Sequence, residues 1–249
     1  MGIHLLLTII LIGLVTGTLI GTVGVGGILL TPLLIFFVGT ELHLAQATSS
    51  FSFLFTGIVG VLMYARRKSI SWHHVLWITI GIIPAALLGA KVNTILSGTA
   101  LTIILATLIV FAGYNALSKH KDGSHTTPSM NKAVLVLIGA GVGFGSSLTG
   151  TGGPVLLVPL LLSLGFMPLV TVGISQAIQL PIAIFATTGF YLYGQIDFQL
   201  GFTLGIVQAV GVIIGATIAH ALPSAQLRSV VAITLIGVGL FMIARLFFV

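Results

Sequence analysis

Thr22-Val23-Gly24-Val25-Gly26-Gly27 and, 126 residues later, Leu148-Thr149-Gly150-Thr151-Gly152-Gly153 are the two stretches on which the fold turns. Each interrupts a long apolar run. Each is followed by a short apolar run that carries a proline, Pro32 in the first copy and Pro159 in the second. Glycine-broken apolar segments at matching positions of two halves are the pattern of discontinuous helices around a transport site.

The composition around these motifs fixes the class. Nine Lys or Arg and three Asp or Glu are spread over 249 residues, of which 57% are hydrophobic, and the mean hydropathy is +1.25. A soluble domain carries roughly a quarter charged residues. The apolar runs are continuous for about 20 residues rather than alternating over about 10, which indicates membrane-spanning helices and argues against a β-barrel. The net charge of +6 is not a nucleic-acid footprint. Arg66, Arg67 and Lys68 sit together, and Lys119, Lys121 and Lys132 flank the one hydrophilic stretch, as in cytoplasmic loops. With no cysteine, disulfides, thiolate nucleophiles and Cys-ligated metals are ruled out. Met1-Gly2-Ile3-His4 lacks a basic leader region, so the first apolar run reads as a retained helix rather than a signal peptide.

Apolar segments are expected near 3–21, 28–38, 43–64, 73–95 and 99–118, and again near 132–148, 154–164, 168–193, 199–221 and 225–247. The expected organisation is a first transmembrane repeat over 1–118, a polar cytoplasmic linker over 119–131 and a second repeat over 132–249. The offset that aligns the glycines also pairs Gly13 with Gly139, Gly17 with Gly143, Ser49 with Ser175, and Gly89-Ala90 with Gly215-Ala216. The fold class is therefore an all-α polytopic membrane protein of two homologous halves. If each short run merges with its predecessor, a half has four spans and the repeats are parallel. If it is a separate broken helix, a half has five segments and the repeats are inverted. The two short runs cannot cross alone, and the basic Arg66–Lys68 loop aligns with the uncharged-to-acidic stretch Tyr193–Asp197, as expected of loops on opposite sides. Five inverted segments is the preferred reading.

The chemistry expected at the breaks is anion binding by backbone. Glycine permits positive φ and close backbone approach. The start of each short helix presents unpaired N–H groups and a partial positive charge. No Lys or Arg lies near the middle of a span; Lys91 and Arg245 fall near helix ends, where they reach the interface. The expected substrate-binding set is Thr22, Gly24, Gly26 and Gly27 from the first break and Thr149, Gly150, Thr151, Gly152 and Gly153 from the second. Thr48, Ser49, Ser175, Gln176 and Gln179, on the spans that follow the short helices, complete it. Gln46 and Ser50 belong to the same polar cluster, whose competing role is interhelical hydrogen bonding worth about 0.6 kcal/mol per bond. His73, His74, His120, His125 and His4 read as interfacial. His43 and His220 lie near helix ends, where a structural role is the commoner one and protonation in a transport cycle the alternative. Glu41, Asp122 and Asp197 fall in expected loops. With no carboxylate pair, metal cluster or Ser/His/Asp arrangement, the residues indicate no enzyme, cofactor or metal site.

These motifs resemble the sulfite exporter TauE/SafE family of bacterial and archaeal membrane proteins. The likeness rests on Gly24-Val25-Gly26-Gly27 with Pro32, Ala47-Thr48-Ser49, and Pro84 with Gly89-Ala90. In the second half it rests on Gly150-Thr151-Gly152-Gly153-Pro154, Gly173-Ile174-Ser175 and Gly215-Ala216. One departure is Val210 where the second half would match Pro84. The resemblance implies a secondary transporter of the cytoplasmic membrane, an exporter by analogy, for sulfur oxyanions such as sulfite or organosulfonates. An anion channel through the same site and a non-transporting membrane scaffold are the alternatives. Expected partners are a small anion and the lipid bilayer, with self-association into a homo-oligomer compatible with the pattern and no nucleic acid.

Overall fold

A computed structural model describes residues 3–97 and 130–223, with isolated positions at 100, 103 and 128 and between 225 and 237. The spans expected at 99–118 and 225–247 and most of the 119–131 linker lie outside the described residues. Within them the fold is helical: α1 (Ile3–Val23), α2 (Gly27–Leu33, running on as a π turn over Leu34–Val38), α3 (Leu42–Arg66), α4 (Trp72–Asn93), α5 (Lys132–Thr149), α6 (Pro154–Ser163), α7 (Pro168–Tyr193) and α8 (Phe198–Ala221). Six of these (α1, α3, α4, α5, α7 and α8) are long and apolar enough to cross a membrane. The other two are the short runs. At 1.5 Å per residue, α2 with its π turn reaches about 18 Å, against a hydrocarbon core of about 30 Å.

The helix ends follow from local chemistry. α1 closes on Gly24 (φ 78°), whose N–H returns to the Ile20 carbonyl at 2.9 Å. α5 closes on Gly150 (φ 66°), and Thr151 N–H reaches back to Ser146 O at 3.1 Å. A left-handed residue just past the last turn is the common helix stop, and glycine adopts it without a Cβ penalty. Pro154 opens α6 at a first-turn position where its missing N–H costs nothing. Asn131 caps α5 through Ala133 N at 2.9 Å, and Asp197 caps α8 through Leu200 N at 2.9 Å.

Small residues set the packing. Gly13 and Gly21 of α1 lie against Val207 and against Val212 and Ala216 of α8, so these helices run parallel. Gly139 and Gly143 of α5 lie against Ile78 and Ile82 of α4, again parallel. Gly57 and Gly60 of α3 meet Leu180 and Gln176 of α7 in antiparallel order, while Gly201 and Gly205 of α8 meet Phe51 and Phe55 of α3 in parallel order. Gly173 touches Ser69, just before α4, and Gly189 touches Leu87 and Ala90, so α7 runs with α4. Thus α1, α3 and α8 point one way and α4, α5 and α7 the other. Lipid tails are as apolar as leucine side chains. Close backbone approach and dispersion, rather than hydrophobic burial, therefore hold such helices together.

Candidate functional site

α3 is the ruler along which the site is built. Gln46 near its start, Phe53 at its middle and Tyr64 near its end lie on one helix whose Gln46–Tyr64 span is about 27 Å. Gln46 lies against Gly150, where a Cβ would come within 2.6 Å of the Gln46 Cβ. Phe53 covers both breaks at once: a Cβ on Gly27 would be 3.0 Å from its ring, and one on Gly152 2.8 Å. The Tyr64 hydroxyl donates to Gly21 O at 2.7 Å, beside the end of α1.

The two glycine motifs touch. A Cβ on Gly27 would stand 2.5 Å from the Thr151 carbonyl oxygen. Gly24 faces Pro154 and Val158 of α6 and Ser175 of α7, and Gly153 faces Ile178 and Ile182 of α7. Each break is therefore walled partly by the other. Both are fully buried, as are all fourteen expected site residues. The wall is a pair of stripes at helical spacing: Gln46, Ser49, Phe53 and Thr56 on α3, and Val172, Ser175, Gln179 and Ile182 on α7.

On the elements that carry the breaks and their walls, several buried polar atoms make no hydrogen bond among the described residues. They include the hydroxyls of Ser49, Ser146, Ser147 and Ser175 and the amide oxygens of Gln176 and Gln179. Native proteins pair nearly all buried polar atoms, and an unpaired one calls for a reason such as a ligand contact. Several other polar groups of the expected set are engaged. Gln179 donates to Thr56 Oγ1 at 2.7 Å, Gln176 donates to Ile20 O, and the Thr149 and Thr151 hydroxyls lie 3.0 Å apart. Two residues of the expected set look elsewhere. Thr22 donates to Thr18 O at 2.8 Å within α1, and Thr48 accepts from Asp197 N at 3.1 Å at the start of α8.

No basic residue enters the described site; Lys91 lies at the end of α4 with its ammonium 5.5 Å from the Tyr193 ring centroid. Two histidines bond to neighbouring elements. His220 bonds Ser69 Oγ at 3.0 Å and Ala216 O at 2.7 Å, and its ring packs on Tyr64. His74, in the first turn of α4, is buried between Ser71 and the Pro128 carbonyl. No group of three or more metal-ligating side chains occurs among the described residues.

Four residues outside the expected set, Asn93, Gln46, Phe53 and Tyr64, shape the site. Asn93 donates to Leu148 O at 2.6 Å and to Gln46 Oε1 at 2.7 Å, while Gln46 donates to Thr149 O at 3.3 Å. Asn93 carries a readable signal, a lone amide in the last turn of an apolar span. Phe53 carries none, and Tyr64, two residues before Arg66, reads as an ordinary interfacial aromatic.

Compared with known proteins, residues 9–242 match the family model described as Sulfite exporter TauE/SafE. Among curated relatives, the chain is 27% identical to "Probable membrane transporter protein YjnA" of Bacillus subtilis (strain 168), over 95% of this chain and 99% of the relative. It is 28% identical to "Probable membrane transporter protein MJ0441" of Methanocaldococcus jannaschii, over 96% of each. It is 26% identical to a "Probable membrane transporter protein" of Xylella fastidiosa (strain 9a5c), over 94% of this chain and 93% of the relative. No solved structure matches.

Proposed function

The chain belongs to the sulfite exporter TauE/SafE family of membrane transporters, and from that membership we propose that it is a secondary transporter exporting small sulfur-containing oxyanions, sulfite or organosulfonates. The substrate sits where the two glycine breaks meet beneath Phe53. The observation that carries this reading is the pair of duplicated hydroxyls, Ser49 and Ser175, buried beside the breaks with no hydrogen-bond partner among the described residues. Backbone N–H groups of the two short helices and these hydroxyls supply donors without a fixed cation. Such a site holds a small oxyanion and lets it go, whereas Arg clamps favour retention.

In this reading the halves, 1–118 and 132–249 joined by a cytoplasmic linker over 119–131, are inverted repeats in the cytoplasmic membrane. Support comes from the helix partnerships. Exchanging α1 with α5, α3 with α7 and α4 with α8 turns the α1–α8 pair into α5–α4 and the α3–α8 pair into α7–α4, all of which are in contact. Each exchanged pair is antiparallel. An inverted pair of broken helices meeting at mid-membrane is the arrangement that alternating access uses.

Counterflow in proteoliposomes tests the function. Vesicles loaded with unlabelled sulfite or isethionate are expected to accumulate the labelled anion transiently, at a slow saturable rate. Ohmic conductance with no counterflow would replace this reading with a channel, and no anion movement from folded protein would replace it with a scaffold.

A further inference from the structure

The last carbonyls of any helix lack intrahelical partners, and inside a bilayer no water supplies them. Here the two interrupted helices meet that need in a particular way. At the end of α1, Gly21 O is held by the Tyr64 hydroxyl of α3, with Gln176 of α7 on Ile20 O. At the end of α5, Leu148 O is held by Asn93 of α4, with Gln46 of α3 on Thr149 O. None of these side-chain donors belongs to the helix it holds, and Ile20 O also accepts from the capping Gly24 N–H at 2.9 Å. The two clasps lie toward opposite ends of α3, hence toward opposite faces of the membrane. Each abuts its own aqueous edge. Tyr64 is one helical turn from the exposed Arg66–Lys68 turn, and Asn93 Oδ1 bonds Nδ1 of the exposed His43 at 3.1 Å.

We infer that Tyr64 and Asn93 are the positioning residues of two opposed gates, each fastening the broken end of one glycine-interrupted helix so that only one side of the central site opens at a time. This rests on the alternating-access reading above. The physical reason is exchange of partners. An end carbonyl leaves its clasp at low cost only where water arrives to replace the donor, so release and hydration occur together on one face. The clasp on the other face, still dry, holds.

The natural absence of cysteine makes the test direct. Thr151→Cys places one thiol where the breaks meet. Arg67→Cys and Glu41→Cys, made separately at exposed positions, identify the two faces in the same membrane vesicles. Labelling by a membrane-impermeant maleimide is measured from each face, with isethionate protection as a second readout. Adding Tyr64→Phe is expected to raise Thr151→Cys labelling from the Arg67 face by about threefold to tenfold, the range one net hydrogen bond is worth, with the Glu41 face unchanged. Adding Asn93→Leu is expected to do the reverse. Unchanged labelling, or a rise from both faces with either variant as general loosening would give, overturns the gates. Isethionate protection is read independently: side-selective labelling without protection keeps the gates and removes the organosulfonate site, and protection without side selectivity does the opposite.

Discussion

The two glycine breaks share a sequence register but not a backbone. In the first, only Gly24 is left-handed, and Gly26 is already helical at φ −61°. In the second, Gly150, Gly152 and Gly153 are all left-handed, at φ 66°, 82° and 93°. Gly26 is needed for closeness instead, because a Cβ there would meet Leu19 Cβ at 2.8 Å and Ile20 N at 2.7 Å as α2 folds back on α1. Gly152 is needed for both turn and closeness, lying under the Phe53 ring. Glycines at matching positions of the two motifs thus answer different physical demands. The second break is the more strongly bent, the first the more tightly packed.

Substitutions at these glycines are expected to be the most damaging. Gly152→Leu combines a disfavoured backbone with a clash against Phe53 and is expected to cost about 3 kcal/mol or more; loss of counterflow and a lowered thermal midpoint would report it. Gly152→Ala is expected to be partly rescued by Phe53→Leu, which removes the steric share and leaves the backbone share of about 1–2 kcal/mol. Gly26→Ala meets backbone and α1 rather than Phe53, so the same second change is expected to leave its cost of about 1–3 kcal/mol untouched. Equal rescue at both positions would erase the distinction between the breaks.

Hydroxyl deletions sharpen the comparison from the side of function. Ser49→Ala and Ser175→Ala remove groups with no partner among the described residues, so thermal stability is expected to hold or rise slightly while transport falls. Thr22→Val and Thr48→Val remove hydroxyls already bonded within the protein. They are expected to cost about 0.5–1.5 kcal/mol of stability with transport little changed. Transport assays paired with melting curves separate the two classes. The smallest effect is expected for Lys91→Gln, whose ammonium stands over Tyr193 at the end of α4; a large loss of uptake there would bring a fixed cation back into the mechanism.

Much of the helical layout was legible in the amino-acid order. The short apolar runs expected at 28–38 and 154–164 are helices, and α1 and α5 stop at the glycines that aligned the halves. The glycines spoke because their requirement is local, a positive φ or a missing Cβ. The clasps were silent because their requirement is tertiary. At the offset of 126, Gln46 aligns with Val172, Phe53 with Gln179, Tyr64 with Phe190 and Asn93 with Ala219. A search for duplicated residues passes over all four, since the three donors and the Phe53 ring have no counterpart at the matching positions. Thr22 and Thr48, adjacent in sequence to the right motifs, spend their hydroxyls elsewhere, Thr22 on its own helix and Thr48 on the start of α8.

The central claim is that the two breaks and the duplicated serines form one anion site. It is tested most directly by thermal stabilisation of purified protein across sulfite, isethionate, sulfoacetate, sulfate and carboxylate controls, in the natural chain and in the Ser49→Ala/Ser175→Ala double variant. A ligand that binds only the folded state adds about 2.7 kcal/mol at one hundred times its dissociation constant. Selective stabilisation by sulfite or the sulfonates is expected in the natural chain, and its loss in a double variant whose unliganded midpoint is unchanged. The same anion-dependent rise in both proteins would place the anion away from Ser49 and Ser175 and overturn the shared site.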